Sequence, residues 1–455
     1  MSETIEEYHD KLVTGDDKKL RFDPSGVFYD SVKSQYLVDV GTHYRSYTRK
    51  APVLAGVTRH FVTRGHDEKE SKEEAKNRIA DAEIDNAVDW SGSIAGHKRG
   101  IVRKNGLSLL VTSEPTLPEP APGAFPTISG IIRDAFPENE ARIIFSGWLA
   151  GAIRAVRYGI HQAAPLLVMA GTVNTGKSLL AWITAQLLGG RVGHPFTAWS
   201  GTLPWNDDLV GAELLLIDDS VGTTDIRKRK EFGARFKEAI YGGEVQVNRR
   251  NVSAISLRPV WRVMVCCNDT PESLAIIPPI DDDLDDKVIL LRVNKITVPP
   301  GTSTPEGKLS FQKEIRAELP AFTAWLEGMT IPDALADSRA GVRAWRDAEL
   351  EEALGNIAEE SRLEDLLRIA LDRGAFNLSP GESREVPACD IEATLCDADS
   401  PVRSQANSLL SKHYSISGKL LGKLARQGSE IIQKSKAKTA IQRWIVSRPL
   451  REPVD

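Results

Sequence analysis

The string Gly171-Thr172-Val173-Asn174-Thr175-Gly176-Lys177-Ser178 is the most chemically specific feature of this 455-residue chain. It fits the phosphate-binding pattern G-x-x-x-x-G-K-[ST] at every position. The glycines permit a backbone tight enough to turn its N–H groups inward on an anion, and a helix starting there adds partial positive charge. Lys177 carries an ammonium able to reach β- and γ-phosphates, and Ser178 a hydroxyl able to ligate Mg²⁺. These eight residues, with the adjoining Leu179, form the candidate nucleotide cradle. The elements needed to position them are present. The apolar run Leu166-Leu-Val-Met-Ala170 predicts a strand before the loop, and Leu179 to Leu188 predicts a helix after it, stopped by Gly189-Gly190. The expected chemistry is binding and hydrolysis of ATP with Mg²⁺.

Two more strands should end near the same place. Leu214-Leu-Leu-Ile-Asp218-Asp219 has four large aliphatics in a row, which predicts a strand buried on both faces and tipped by two carboxylates. Asp218 is expected in the Mg²⁺ shell beside Ser178, and Asp219 to orient or deprotonate the attacking water. Val260 to Cys267 is a third apolar run and ends in Asn268-Asp269. In the AAA+ class a polar residue at the tip of this strand contacts the γ-phosphate, and Asn268 matches that place. Between the two lies Lys237 to Ile255. There Val245 and Val247 alternate with Glu244 and Gln246, Asn248 to Asn251 turns, and Val252 returns. This predicts a β-hairpin with Arg249 and Arg250 at its tip. It is either a solvated hairpin or a projecting grip on a nucleic-acid backbone.

Taken together, the phosphate loop, the acid-tipped strand, the hairpin and the Asn-tipped strand resemble superfamily 3 helicases. They look most like the ATPase part of poxvirus-type and phage or plasmid primase-helicases. Thr197-Ala-Trp-Ser-Gly-Thr-Leu-Pro-Trp-Asn206-Asp-Asp-Leu and Asp269-Thr-Pro-Glu-Ser-Leu share the likeness, which covers roughly residues 120 to 330. The resemblance implies a homo-oligomeric ring, a hexamer, with single-stranded DNA in a channel lined by the hairpin and 3′-to-5′ translocation. One stretch departs from the family. Where an arginine acting on the neighbouring subunit's nucleotide is expected, the chain reads Pro278 to Lys287 through a run of aspartates, with Arg292 one strand further on. Such an arginine contributes about 10³ to 10⁵ in rate, and lysine lacks its bidentate fork. Lys287, Arg292 and Arg262 all remain candidates. No primase chemistry is visible: where relatives carry a primase domain, this chain has either lost it or receives it from a separate primase or polymerase.

The rest of the sequence sets the frame. Hydrophobic content of 41%, charged content of 27% and a formal net charge of −5 are those of an ordinary globular protein. No global charge points to nucleic acid or membrane. Four cysteines without zinc-ribbon spacing suit a reducing cytoplasm. The acidic start is unlike a signal peptide, and no run is long enough for a membrane span. The expected fold class is α/β. Residues 1–118 should form a small α+β domain, ended by the proline-rich Thr116 to Gly123. Residues 119–330 should form an AAA+ P-loop core with a parallel sheet, 331–379 a helical lid and 380–455 a winged-helix-like DNA-binding domain. Within the last, Lys419, Lys423 and Arg426 recur at helical spacing and are expected on duplex DNA. The reading is an ATP-dependent DNA helicase or translocase in replication of a phage, plasmid or other mobile element. An AAA+ switch or loader that does not unwind, and an origin-binding protein, stay open beside it.

Overall fold

The computed structural model describes residues 26–41, 43–218, 226–249, 252–278, 280, 284–410, 416–426, 428–436 and 441–449. Its centre is a five-stranded, all-parallel sheet. In spatial order the strands are Val288–Arg292, Leu166–Ala170, Arg262–Cys267, Leu214–Asp218 and Val192–Gly193. The three aliphatic runs singled out in the sequence are thus immediate neighbours. Parallel strands are covered on both faces, so they need apolar residues at every position. Leu166 to Ala170 and Arg262 to Cys267 are buried throughout.

Successive residues of a strand point to opposite faces, and the two layers of the core divide accordingly. Leu167, Met169, Met264, Cys266, Ile289 and Leu291 pack with Phe136, Phe145, Trp148 and Phe322 on one side. Phe145 and Trp148 come from the helix Asn139–Tyr158 and Phe322 from Pro305–Gly328, while Phe136 caps the end of Pro126–Ala135. Leu166, Val168, Val263, Val265 and Leu290 pack with Trp199, Phe232 and Phe236 on the other. The helix Lys177–Leu187 leaves the phosphate loop into the first layer, and Ile226–Tyr241 belongs to the second. This is the mixed α/β architecture expected of a phosphate-loop core.

Ahead of it, Val27–Asp30, Gln35–Asp39 and Tyr44–Tyr47 form an antiparallel meander, joined by Ala87–Val88. Trp90–Gly92, Gly100–Lys104 and Leu107–Val111 make a separate three-stranded sheet. That second sheet packs on the hairpin: Trp90, Leu109 and Val111 share a core with Val210, Val247, Ile255 and Leu257. An ion pair with one buried partner ties the segments flanking that sheet to the central sheet. Glu213, fully buried, pairs with Arg191 and accepts from the Gly96 N–H at 2.9 Å. Arg191 also donates to the Ser113 hydroxyl at 2.9 Å.

Two regions differ from the sequence reading. Asp333 to Ile369 is expected to be mainly helical, yet Ala336–Asp337 and Gly341–Val342 form a small antiparallel turn and the helix begins only at Ala348. The Asp337 carboxylate draws in the Arg339 and Ala340 N–H groups at 2.9 and 2.6 Å, a local bond that competes with helix. After the helix Ala348–Asp372, the sequence from Ile431 to Val446 predicts a two-stranded wing, but the sheet has three strands. Arg443–Ser447 lies between Ile432–Lys434 and Ser383–Pro387, antiparallel to both. Ser383–Pro387 buries only Val386, so it lacks the alternation that marks a strand.

Removing one partner of a buried ion pair leaves an uncompensated charge at a cost of about 3 kcal/mol or more. Arg191→Ala is therefore expected to lower stability by about that much in urea unfolding. Arg191→Met combined with Glu213→Leu should recover most of the loss.

Candidate nucleotide site

All four main strands deliver their C-terminal ends to one edge of the sheet. Ala170 lies in register with Cys267 and with Arg292, and Asp218 with Cys266. In open α/β sheets that edge is where ligands bind. The loop between Ala170 and Lys177 is shaped by two close approaches. A Cβ on Gly171 would lie 2.4 Å from the Val293 carbonyl oxygen. Gly176 has φ of +104°, and a Cβ there would lie 2.5 Å from Ile296 Cδ1. Asn174 also takes a positive φ, 63°, at the bend. Thr175, buried, ties the loop inward by donating to the Thr172 carbonyl at 3.0 Å, and its own carbonyl accepts from the Ile296 N–H at 3.0 Å. Val173 stands at the outer surface, 69% exposed. The Leu179 N–H donates to the Gly176 carbonyl at 3.0 Å, inside the first helical turn.

Lys177 is only 7% exposed. Its Nζ donates to the carbonyls of Gly171 and Thr172, both at 2.8 Å, and lies 3.3 Å from Asn268 Oδ1 and 3.4 Å from Thr175 Oγ1. Every one of these acceptors is a neutral oxygen. A desolvated ammonium held only by neutral dipoles makes a strongly electropositive spot, and that is the charge a polyphosphate requires. Next to it, Ser178 Oγ and Asp218 Oδ2 are 3.4 Å apart. One hydroxyl and one carboxylate, with the rest left to phosphate and water, is the usual donor set for Mg²⁺. The residues present therefore fit a magnesium–triphosphate group. Cys267 lies beneath the loop; burial pushes its thiol up to about 12, against the pull of Lys177, so it is inert at neutral pH.

The structure thus brings Lys177, Ser178, Asp218 and Asn268 together. Asp219 and Arg250 lie outside the described residues. The Arg249 backbone closes the hairpin strand Val245–Arg249, opposite Val252.

The candidates for a residue acting on a neighbouring subunit fare differently. Arg262 is buried and donates to the carbonyls of Gln162, Trp261 and Gly151 at 3.1 Å each. Burial lowers its guanidinium to about 10. A side chain sealed inside its own sheet cannot reach another chain, so Arg262 is removed as a candidate. Arg292 is held by three carboxylates of its own chain: Asp269 at 3.6 Å, Asp347 at 3.2 Å and Glu349 at 3.1 Å. Lys287 pairs with Asp286 and sits 5.4 Å from the centre of the Tyr241 ring.

In the C-terminal helix Ile416–Arg426, Lys419 and Arg426 are exposed. Lys423 instead reaches back to the buried Glu360 at 2.7 Å, and Arg426 Nε donates to the Gly422 carbonyl at 3.1 Å.

Two features had no sequence signal strong enough to find them. The acids around Arg292 are scattered over some eighty positions of chain. Asn206, in the Pro204-Trp-Asn206-Asp stretch, hydrogen-bonds to the hairpin, although its composition suggests only a turn.

Comparison with known proteins places the architecture. The chain is similar over 97% of its length to the apo A form of the NrS-1 C terminal region, at 13% identity, TM-score 0.50 and 98% of that chain. A second apo structure of the same region matches at 13% identity, TM-score 0.51, over 97% of this chain and 98% of that one. At this identity the likeness is one of fold, and it runs through almost the whole chain. The active helicase SCCmec type IV Cch matches at 12% identity over 94% of this chain and 93% of its own, with a TM-score of 0.33, too low to carry an argument. A family of unknown function, DUF5906, matches residues 169–283. That stretch runs from the phosphate loop past Asn268. No curated protein matches the chain.

Gly176→Ala should show how tightly the loop is built. The positive φ and the Ile296 contact predict a loss of about 1–3 kcal/mol. ATP binding measured by calorimetry should weaken along with it. An alanine variant as stable and as tight as the parent would mean the loop relaxes without consequence.

Proposed function

We propose that the chain hydrolyses ATP and uses the energy to move along single-stranded DNA, as a helicase or translocase of the superfamily 3, AAA+ type that serves replication of a phage, plasmid or other mobile element. The convergence of Lys177, Ser178, Asp218 and Asn268 carries this reading. Lys177 Nζ lies 3.3 Å from Asn268 Oδ1, and Ser178 Oγ lies 3.4 Å from Asp218 Oδ2.

In this reading Lys177 leaves the Gly171 and Thr172 carbonyls and takes up the β- and γ-phosphates. The loop N–H groups hold the remaining phosphate oxygens. Ser178 and Asp218 would ligate Mg²⁺, which neutralises charge developing on the transferred phosphoryl group. Asn268, already beside the Lys177 ammonium, is placed to detect whether the γ-phosphate is present. Asp219 is assigned the attacking water on its place in sequence. Arg292, caged on its own chain, is read as an in-chain strut joining Asp269 to Asp347, the cap of the helix Ala348–Asp372. Lys287 is then the remaining candidate for contact across a subunit boundary in a homo-oligomeric, hexameric ring. Arg249 and Arg250 would hold the DNA backbone.

The C-terminal unit has the helix order and three-stranded sheet that suit a winged helix, and its exposed Lys419 and Arg426 are proposed to contact duplex phosphate. The Lys423–Glu360 pair favours a second reading for this face. A basic helix with one of its three cations tied into the connector helix fits an ATP-driven switch or loader that docks on a DNA-bound complex.

Lys177→Ala is expected to abolish ATP hydrolysis and strand displacement on a forked duplex while leaving thermal unfolding nearly unchanged; retained turnover would remove the site. Lys419→Ala with Arg426→Ala should reduce the slope of log K against log salt for duplex DNA by about 2, since each lost phosphate contact removes about 0.9. An unchanged slope favours the switch. Displacement measured together with particle mass in the same buffer tests motor and ring at once.

A further inference from the structure

The hairpin Val245–Leu257 has two sides, held in different ways. On one, Val247, Ile255 and Leu257 pack on the sheet that contains Trp90, Leu109 and Val111. On the other lies a cavity of about 300 Å³ lined by Trp199, Arg235, Asn206, Val245, Gln246 and Asn248. Val245 packs there against the core cluster that contains Trp199 and Trp261. Hydrogen bonds from a single residue span the gap. The Asn206 N–H donates to the Asn248 carbonyl at 3.2 Å. Its side-chain Nδ2 donates to the Gln246 carbonyl at 2.9 Å, and its Oδ1 accepts from the Asn248 N–H at 2.7 Å.

These are the outward-facing groups of the first hairpin strand, which an unpaired edge would leave to water. A carboxamide presents one donor and one acceptor in a plane, so Asn206 stands in for a neighbouring strand across Gln246 and Asn248. The contact falls where the pairing register shifts, between Val247 and Arg249. A bulge bends and twists its strand, and Asn206 grips this one a single residue before Arg249. The clamp is also tied to the acid-tipped strand. The Leu209 N–H donates to the Asn206 carbonyl at 3.2 Å, and Leu209 shares a core with Ala212, Leu215 and Ile217.

We infer that Asn206 is a positioning residue that sets where the first hairpin strand ends, at Arg249, by clamping the outer edge of the hairpin to the segment leading into the Asp218 strand. Its functional part rests on the hairpin being the DNA grip proposed above. The ligand at the tip is the phosphate backbone of a single strand; Asn206 does not touch it. Asp at this position would keep the acceptor but lose the donor and set a carboxylate against the Gln246 carbonyl. Ala would lose both.

The test uses the full chain with Asn206→Ala and Asn206→Asp. Amide hydrogen exchange and oligo(dT)-stimulated ATP hydrolysis are measured on each. In Asn206→Ala the Asn248 amide should exchange about tenfold faster, as a lost hydrogen bond of ordinary strength implies, while Leu214 to Asp218 stays protected as in the parent. The oligo(dT) concentration for half-maximal stimulation should rise about tenfold in both variants. In Asn206→Asp the Asn248 amide should stay largely protected, because its acceptor remains. Unchanged Asn248 protection in Asn206→Ala overturns the clamp. Faster exchange with an unchanged oligo(dT) requirement overturns its role in positioning the tip. If the parent chain hydrolyses ATP without any response to oligo(dT), the DNA reading fails instead, and the exchange result still decides whether the clamp exists.

Discussion

Taking an ammonium out of water is costly unless strong dipoles replace its hydration. Lys177 meets that condition with the carbonyls of Gly171 and Thr172 and the side-chain oxygens of Thr175 and Asn268. Much of the molecule is arranged so that this can happen. The loop closes tightly because Gly171 and Gly176 have no Cβ to strike Val293 and Ile296. Asn268 is within reach because its strand runs directly beside the phosphate-loop strand. Asp218 comes to Ser178 because the next strand along is the acid-tipped one. Strand order brings three separate stretches of chain to one edge of the sheet.

From that pocket, rigid connections run in two directions. One follows the Asp218 strand backwards through Leu209 to Asn206 and the hairpin. The other passes from Asn268 to Asp269, then through Arg292 to Asp347 and the helix Ala348–Asp372. The far end of that helix, at Leu363, Leu366, Leu367 and Leu371, is built into the core of the C-terminal unit. Both routes are made of hydrogen bonds, ion pairs and packed side chains rather than flexible linkers. One route joins the pocket to the hairpin and the other joins it to the C-terminal unit.

The central sheet was legible in the sequence because buried parallel strands must be apolar at every position, and runs such as Leu214 to Ile217 have few other readings. The phosphate loop was legible because its glycines and lysine answer to local geometry. Contacts between residues far apart in the chain were less visible. The stretch around Asn206 carried a family likeness, but nothing in it pointed to the hairpin. Arg262 looked as available as Arg292 until the fold sealed it against Gly151 and Gln162. Lys423 kept perfect helical spacing with Lys419 and Arg426, yet a single buried glutamate sixty-three positions upstream turned it inward. Ser383–Pro387 became a strand through pairing with Arg443–Ser447, not through any pattern of its own.

The most direct test is a crystal structure grown with Mg²⁺ and a non-hydrolysable ATP analogue. The account predicts phosphate density inside the Gly171–Ser178 loop, Lys177 Nζ moved from the loop carbonyls onto phosphate oxygens, and a metal ion bound by Ser178 Oγ on the Asp218 side. Analogue bound elsewhere, with Lys177 still on the Gly171 and Thr172 carbonyls, would contradict it.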